Sequence, residues 1–231
     1  MAFLAAKDIC LLAQQISKAP AGYSVQAGQF LNLVLRDLLL KRNLTVNVLS
    51  ENITISANSN GPFTGAANYL RSYNFTYVIN GIPFKLTPIS LDDLDLLIKS
   101  PQLANYPDRY AVDASPQATG LPIVFYIYPQ SNQSLTIQHR YYAQQADIAS
   151  PESSSTVPWF IDQDYLIHAT AAQLMKITDD QRYIEFVKTG EEMLRKYLIM
   201  EGDKEFLPAK ITLDPGMFRK SRSLRPTKIT G

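Results

Sequence analysis

The hydrophobic period of this chain changes twice, and that change limits the folds open to it. Residues 3–42 carry apolar side chains at helical spacing, residues 44–143 contain runs that alternate with period two, and helical spacing returns from about Asp164. A pattern written for one period does not settle into the other, so the order is helix pair, β module, helix pair. Neither pair alone buries much surface. The expected fold class is therefore α+β, with a helical bundle formed by the N- and C-terminal helix pairs. A small antiparallel β module is inserted between them, and an extended C-terminal arm follows. The expected boundaries are 1–43 and 160–201 for the bundle, 44–159 for the β-rich insertion and 202–231 for the arm.

Local signals fill in this outline. In the first helix Leu4, Cys10, Leu11 and Ile16 supply the stripe, and Pro20 with Gly22 ends it. Ser24 reads as the N-cap of a second helix whose stripe is Phe30, Leu31, Val34, Leu35, Leu38 and Leu39, with Lys41 and Arg42 in its last turn. Asn80-Gly81 divides two β-rich runs and predicts a hairpin, because a type I′ turn needs positive φ at both central residues. "PIVFYIYP" and "SLTIQHRYYA" flank a polar loop over 130–133 and read as a second strand pair. Between the two pairs, "SLDDLDLLIKS" has a serine cap and early acids, which predicts a short helix. "DIASPESSSTVP" reads as a surface connection. Leu166, Ile167, Ala171, Leu174 and Met175 mark one late helix, and Ile184, Val187, Leu194 and Leu198 mark the other. Thr178 to Gln181 matches a capping box for the latter, which would make Asp179 and Asp180 first-turn acids.

Composition excludes several classes. The formal net charge of +1 over 231 residues gives no global attraction to nucleic acid or membrane. A single cysteine, Cys10, excludes an intrachain disulfide framework and a cysteine-based zinc cluster, and its neighbours Ile9, Leu11 and Leu12 mark it as a buried hydrophobe. No window reaches the roughly 18 to 20 apolar residues of a membrane span, and Lys7 and Asp8 interrupt the apolar N-terminus. The expectation is a soluble protein made in a reducing cytoplasm.

The one constellation that could carry chemistry is "PWFIDQDYLIHATAAQLMKITDD", where Asp164 and His168 stand four residues apart and share a helix face. A hydrolytic metal site needs at least three protein ligands, however, and the two histidines, His139 and His168, lie in no ligand spacing. Asp162 and Asp164 sit where capping acids belong, ahead of an apolar helix. No G-x-S-x-G, P-loop or dinucleotide glycine pattern is present. The expectation is no enzyme, with no catalytic residue, no metal and no cofactor.

The 13 tyrosines cluster with arginines, as at Tyr106, Arg109, Tyr110, Arg140, Tyr141 and Tyr142, a combination typical of protein interfaces. These six are the expected subunit-interface residues. The same rings could stack on sugars, which leaves a carbohydrate- or receptor-binding β module on a helical stalk as the alternative. From Gly202 onward periodicity is absent, prolines recur, and from Gly216 Arg219, Lys220, Arg222, Arg225 and Lys228 occur without an acid.

Tyr106-Pro107-Asp108-Arg109-Tyr110, Tyr128-Pro129, Leu135 with Ile137, Tyr141 with Tyr142, Pro158-Trp159, and the run 166–174 together form a recognisable series. It resembles the head-to-tail adaptor (head-completion or connector) proteins of tailed bacteriophages with podovirus-type tails. The likeness in element order covers nearly the whole chain, and in residues about 105–187. In place of the family's "LN-x-(M/L)-L-x-x-W" run, this chain has "FLNLVLRDLLL", without the tryptophan.

The resemblance implies a non-enzymatic ring in the virion neck, under the portal and with its twelve-fold symmetry. Such a dodecamer carries tail or nozzle proteins below, and DNA passes through its lumen without sequence-specific contact. Its C-terminal arm grips the portal protein. That role falls here on Lys210, Phe218, Arg219, Lys220, Arg222, Arg225 and Lys228, and a basic arm of this kind suits wrapping of a neighbour.

Overall fold

The computed structural model describes residues 3–99 and 103–201, and the seven residues expected to bind the portal lie outside them. The protein is mixed α+β, with helices at both ends of the described chain and sheets between.

Helix α1 (Ala6–Ser17) buries Ala6, Ile9, Cys10, Ala13 and Ser17, while Leu11 points to solvent at 53% exposure. The stripe therefore runs through small residues, which lets neighbouring helices approach closely. Lys18 caps α1 in the left-handed conformation. Ser24 does not cap α2 (Ser24–Lys41). A 3₁₀ turn, Ala21–Tyr23, runs directly into the helix and makes Ser24 its first residue. The buried face of α2 includes Leu31, Val34, Leu35, Leu38 and Leu39, as its spacing predicts. At the far end of the chain lie α4 (Gln163–Ile177) and α5 (Tyr183–Glu201), separated from α2 by the β module. Helix α4 packs on α1, α2 and α5, and residues of all four helices share one hydrophobic cluster.

The β module holds two four-stranded sheets. In the first the order is β1 (Val48–Ile55), β10 (Leu135–Ala143), β3 (Tyr69–Ile79), β4 (Ile82–Lys85), antiparallel throughout. The β3–β4 hairpin turns at Asn80 and Gly81, both with positive φ (49° and 82°), as the dipeptide predicts. In the second the order is β2 (Phe63–Thr64), β8 (Val124–Tyr128), β7 (Arg109–Asp113), β5 (Thr87–Pro88), with β5 parallel to β7. Ile55, Phe75 and Ile137 from the first sheet meet Phe63, Phe125 and Ile127 from the second in one buried cluster. The outer face of the second sheet is covered by α3 (Leu91–Ile98), through Leu94 against Ala111 and Tyr128. Ser90 caps α3 by accepting the Asp93 amide at 3.1 Å.

The second expected strand pair is not a hairpin. β8 and β10 belong to different sheets, because Pro129 cannot donate to a continuing ladder. The link forms a two-residue parallel pair, β6 (Leu103–Ala104) with β9 (Gln130–Ser131), and the Ser131 hydroxyl, donating within reach of Asn105 O (3.2 Å) and Gln133 O (2.7 Å), pins it.

One further expectation is extended and another is corrected. The connection over 147–158 lies largely at the surface, as expected, and as part of the 144–162 segment it also straps α1 and α2. Asn32 donates to Ile148 O (2.9 Å) and accepts its amide (3.0 Å), and the Ala6 and Lys7 amides donate to Thr156 O and Ser154 O. These last bonds satisfy donors that any helix N-terminus leaves open. The capping box at Thr178 is also absent. Thr178 closes α4 instead, donating to the Met175 carbonyl (3.1 Å), and Asp179 turns the chain with φ 53°. Asp180 then accepts the Arg182 amide (3.0 Å), and the Arg182 guanidinium holds its carboxyl down to about 2. Ile184 and Val187, expected to be buried, stand 56% and 41% exposed on α5.

Candidate functional site

The Asp164/His168 pair does not assemble into a dyad. The His168 Nδ1 lies 2.8 Å from the backbone carbonyl of Asp164, not from its carboxylate, and the ring stacks on Phe186 at 5.6 Å. Asp162 is the N-cap of α4, accepting the Tyr165 amide at 3.1 Å. The stretch from Asp162 to His168 is built as a helix start. Among the described residues no group of three or more His, Cys, Asp or Glu is placed to hold a metal.

The other histidine occupies a different environment. His139 is fully buried on β10, stacked on Phe75 at 4.0 Å and flanked by Tyr141 and Tyr69. Its Nδ1 faces the Glu51 carboxylate at 2.9 Å, so Nδ1 carries a proton and donates. The same Glu51 oxygen accepts the Ala66 amide at 3.0 Å, which ties β1 to the loop leading into β3. Burial lowers the His139 pKa, and the Glu51 hydrogen bond and charge oppose that fall. No sequence signal announces this pair, because its members are 88 positions apart and meet only through the β1–β10 register, where Glu51 stands opposite His139.

The six expected interface residues divide. Tyr110, Tyr141 and Tyr142 are buried within the chain at 6–7% exposure, which corrects their assignment to an outer surface. Their rings are wide enough to fill the space between strands: Tyr110 packs on Phe75 at 4.1 Å, and Tyr142 meets Tyr73 edge-on and lies under Arg71. Arg140 is exposed, and Tyr106 and Arg109 are half-buried, so these three present the expected chemistry to solvent. Cys10 is buried as expected, and burial, with Glu152 nearby, pushes its thiol up to about 12.

One feature that the sequence did not indicate is a groove on the helical side. α2 and α5 both pack on α4 but leave a cleft between them of about 340 Å³. Ala169 and Ala172 form its floor, Leu33 and Val187 its walls, and Asp37 and Glu191 stand on its rim. The floor is low because α4 presents alanines there and α5 presents Gly190. Tyr165 closes one end, its hydroxyl pushed up to about 12 by burial.

Among the described residues no helix is long and apolar enough to cross a membrane. No family model matches the chain, and no curated protein matches it.

Proposed function

We propose that this protein is a structural adaptor in a phage neck, assembling as a ring between the portal protein and the tail or nozzle proteins, with DNA passing through the lumen. What supports the reading is the resemblance carried by residues 105–187, together with one structural observation. Helices separated by the whole β module pack on one hydrophobic cluster, which supports reading the chain as a helical bundle interrupted by an insertion, the arrangement the resemblance implies.

In this reading the bundle is the scaffold and the β module supplies lateral contacts through residues such as Arg109 and Arg140. The arm over 202–231, leaving from the end of α5, reaches the portal through Arg219, Lys220, Arg222 and Arg225. Asp162 then serves as a helix cap and His168 as a packing residue.

The test is mass photometry of the purified chain mixed with portal rings. Addition of about one copy per portal subunit is expected, and charge reversal at Arg219, Lys220, Arg222 and Arg225 should abolish it while the far-ultraviolet spectrum is retained. A wild-type chain that never adds to portal rings would overturn the proposal.

A further inference from the structure

Two apolar features of this molecule are mismatched with solvent and complementary to each other. One is the tip of the β3–β4 hairpin. There Val78, Ile82 and Phe84 are 64%, 59% and 42% exposed, and every residue of β4 faces solvent. The tip projects past the buried cluster between the sheets. Lys85 is the one charged side chain between Arg71 and Asp92, so the hairpin is an apolar wedge with a single cation beside it. Exposed apolar residues grouped in this way mark contact surfaces more often than isolated ones do. The other feature is the groove over α4, apolar on its floor and walls with acids on its rim. Asp37 is already held by Lys41 at 2.6 Å, which leaves Glu191 as the acid available to an incoming cation.

The hairpin cannot reach its own groove. Arg71, near the start of β3, is bonded to the carbonyl of Leu39 at the end of α2. From there the paired strand runs nine residues to the turn at Asn80, which at about 3.3 Å per residue puts the tip roughly 30 Å away. α2 meanwhile packs along α1 and α4, not along the hairpin. A strand paired on both sides is too stiff to fold back over that distance.

We propose that the occupant of the groove is a second copy of this chain, which inserts its β3–β4 hairpin tip between α2 and α5. Phe84 and Ile82 enter over Ala169 and Ala172, and Lys85 reaches Glu191. Pro83 interrupts the outer edge of β4, which disfavours strand addition there and leaves side-chain insertion as the mode of contact. Tip and groove lie on different parts of the protomer, so the contact is heterologous, and it propagates from copy to copy until it closes into a ring. The inference rests on the proposed ring assembly and names the interface that would build it.

The test uses full-length chains blocked on one side only: Phe84→Glu at the tip and Val187→Glu in the groove. Both sites are solvent-exposed, and retained folding is checked by circular dichroism. Sedimentation velocity should show each variant monomeric and at least tenfold weaker in self-association than wild type. Mixing the two restores one intact tip and one intact groove, so the mixture should form dimers and grow no further. Disulfide trapping covers a wild-type contact too weak to sediment: Ile82→Cys in one copy should crosslink to Leu33→Cys in another, and not to Leu11→Cys on the exposed face of α1. The native Cys10 is buried and does not compete. Equal crosslinking to both positions, or association that survives both blocking substitutions, would overturn the interface. Specific trapping combined with no docking on portal rings would retain this contact and discard the adaptor reading.

Discussion

The Arg71 guanidinium lies over the Tyr142 ring, 4.8 Å from its centre, and the same group closes the end of α2. Its Nε donates to the Asn43 side chain (2.8 Å) and its terminal nitrogens donate to the carbonyls of Leu39 (3.1 Å) and Arg42. A helix C-terminus leaves four carbonyls open, and here a strand residue from the β module satisfies that of Leu39 together with that of Arg42, the residue after the helix. One side chain thus joins the helical layer to the first sheet. Only a planar fork with several fixed donors can make these contacts together while stacking on a ring.

Arg71→Ala should therefore cost about 2 kcal/mol, the scale of charge-assisted hydrogen bonds in a half-buried site. Urea denaturation followed by circular dichroism measures this. Arg71→Lys should recover less than half of the loss, and full recovery would show that charge alone suffices.

The buried His139 predicts a direction of pH dependence. Its folded pKa is lowered by burial, so the unfolded chain binds the proton more readily below the ordinary histidine value of about 6.5. Stability is then fully present above about pH 6.5 and declines as pH falls towards the lowered folded value. Melting temperatures between pH 7.5 and 5 should drop for the wild type and drop less for His139→Phe, whose ring fits the stack on Phe75. An equal drop in both would assign the acid sensitivity elsewhere.

Phe75 is the residue on which the module's packing converges, fully buried and in contact with His139, Tyr110 and Phe125. Truncation to alanine leaves a cavity between the sheets that their paired strands cannot collapse to fill. The expected loss is about 3–5 kcal/mol, read from the denaturation midpoint. A loss under about 1 kcal/mol would mean the sheets are not packed through this ring.

The two polar residues at the start of α4 should behave differently. Asp162→Ala removes a cap and should cost about 1 kcal/mol, whereas His168→Ala, half-exposed, should change stability by no more than about 0.5 kcal/mol. A loss from His168→Ala as large as that from Asp162→Ala would show that the His168 side chain helps to hold the start of α4.

Local signals were legible in the sequence where neighbours in the chain determine the outcome. The Asn80-Gly81 turn, the Ser90 cap, the Asp162 cap and the apolar faces of α2 and α4 all depend on residues within a few positions. The α+β order followed from period alone. Pairing across the chain was not legible. Nothing in "SLTIQHRYYA" indicates that it takes β1 and β3 as partners and leaves β8 to another sheet. Tyrosine shows the limit clearly: its chemistry suits a surface or a core equally, and Tyr110 was buried against Phe75, Tyr141 among Ala66, Tyr69 and Ile123, and Tyr142 beneath Arg71. The groove was hidden for a similar reason, since the alanines of its floor read as ordinary helix formers. The capping motif at Thr178 failed because a hydroxyl can also donate backward to the preceding turn.

The strap of residues 144–162 has a bearing on how the chain is made. The first turn of α1 takes its hydrogen-bond partners from Ser154 and Thr156, and the apolar faces of α1 and α2 are covered by α4. All of these are synthesised after the β module. At about 5–20 residues per second the ribosome spends on the order of ten seconds between releasing α2 and releasing α4. During that interval an apolar helical hairpin waits unpartnered, exposed to chaperones and to other nascent copies. A released chain truncated after Ala143 should have protease-sensitive α1 and α2 beside a protected β module. The N-terminal residues of this protein would then be among the last to reach their final places.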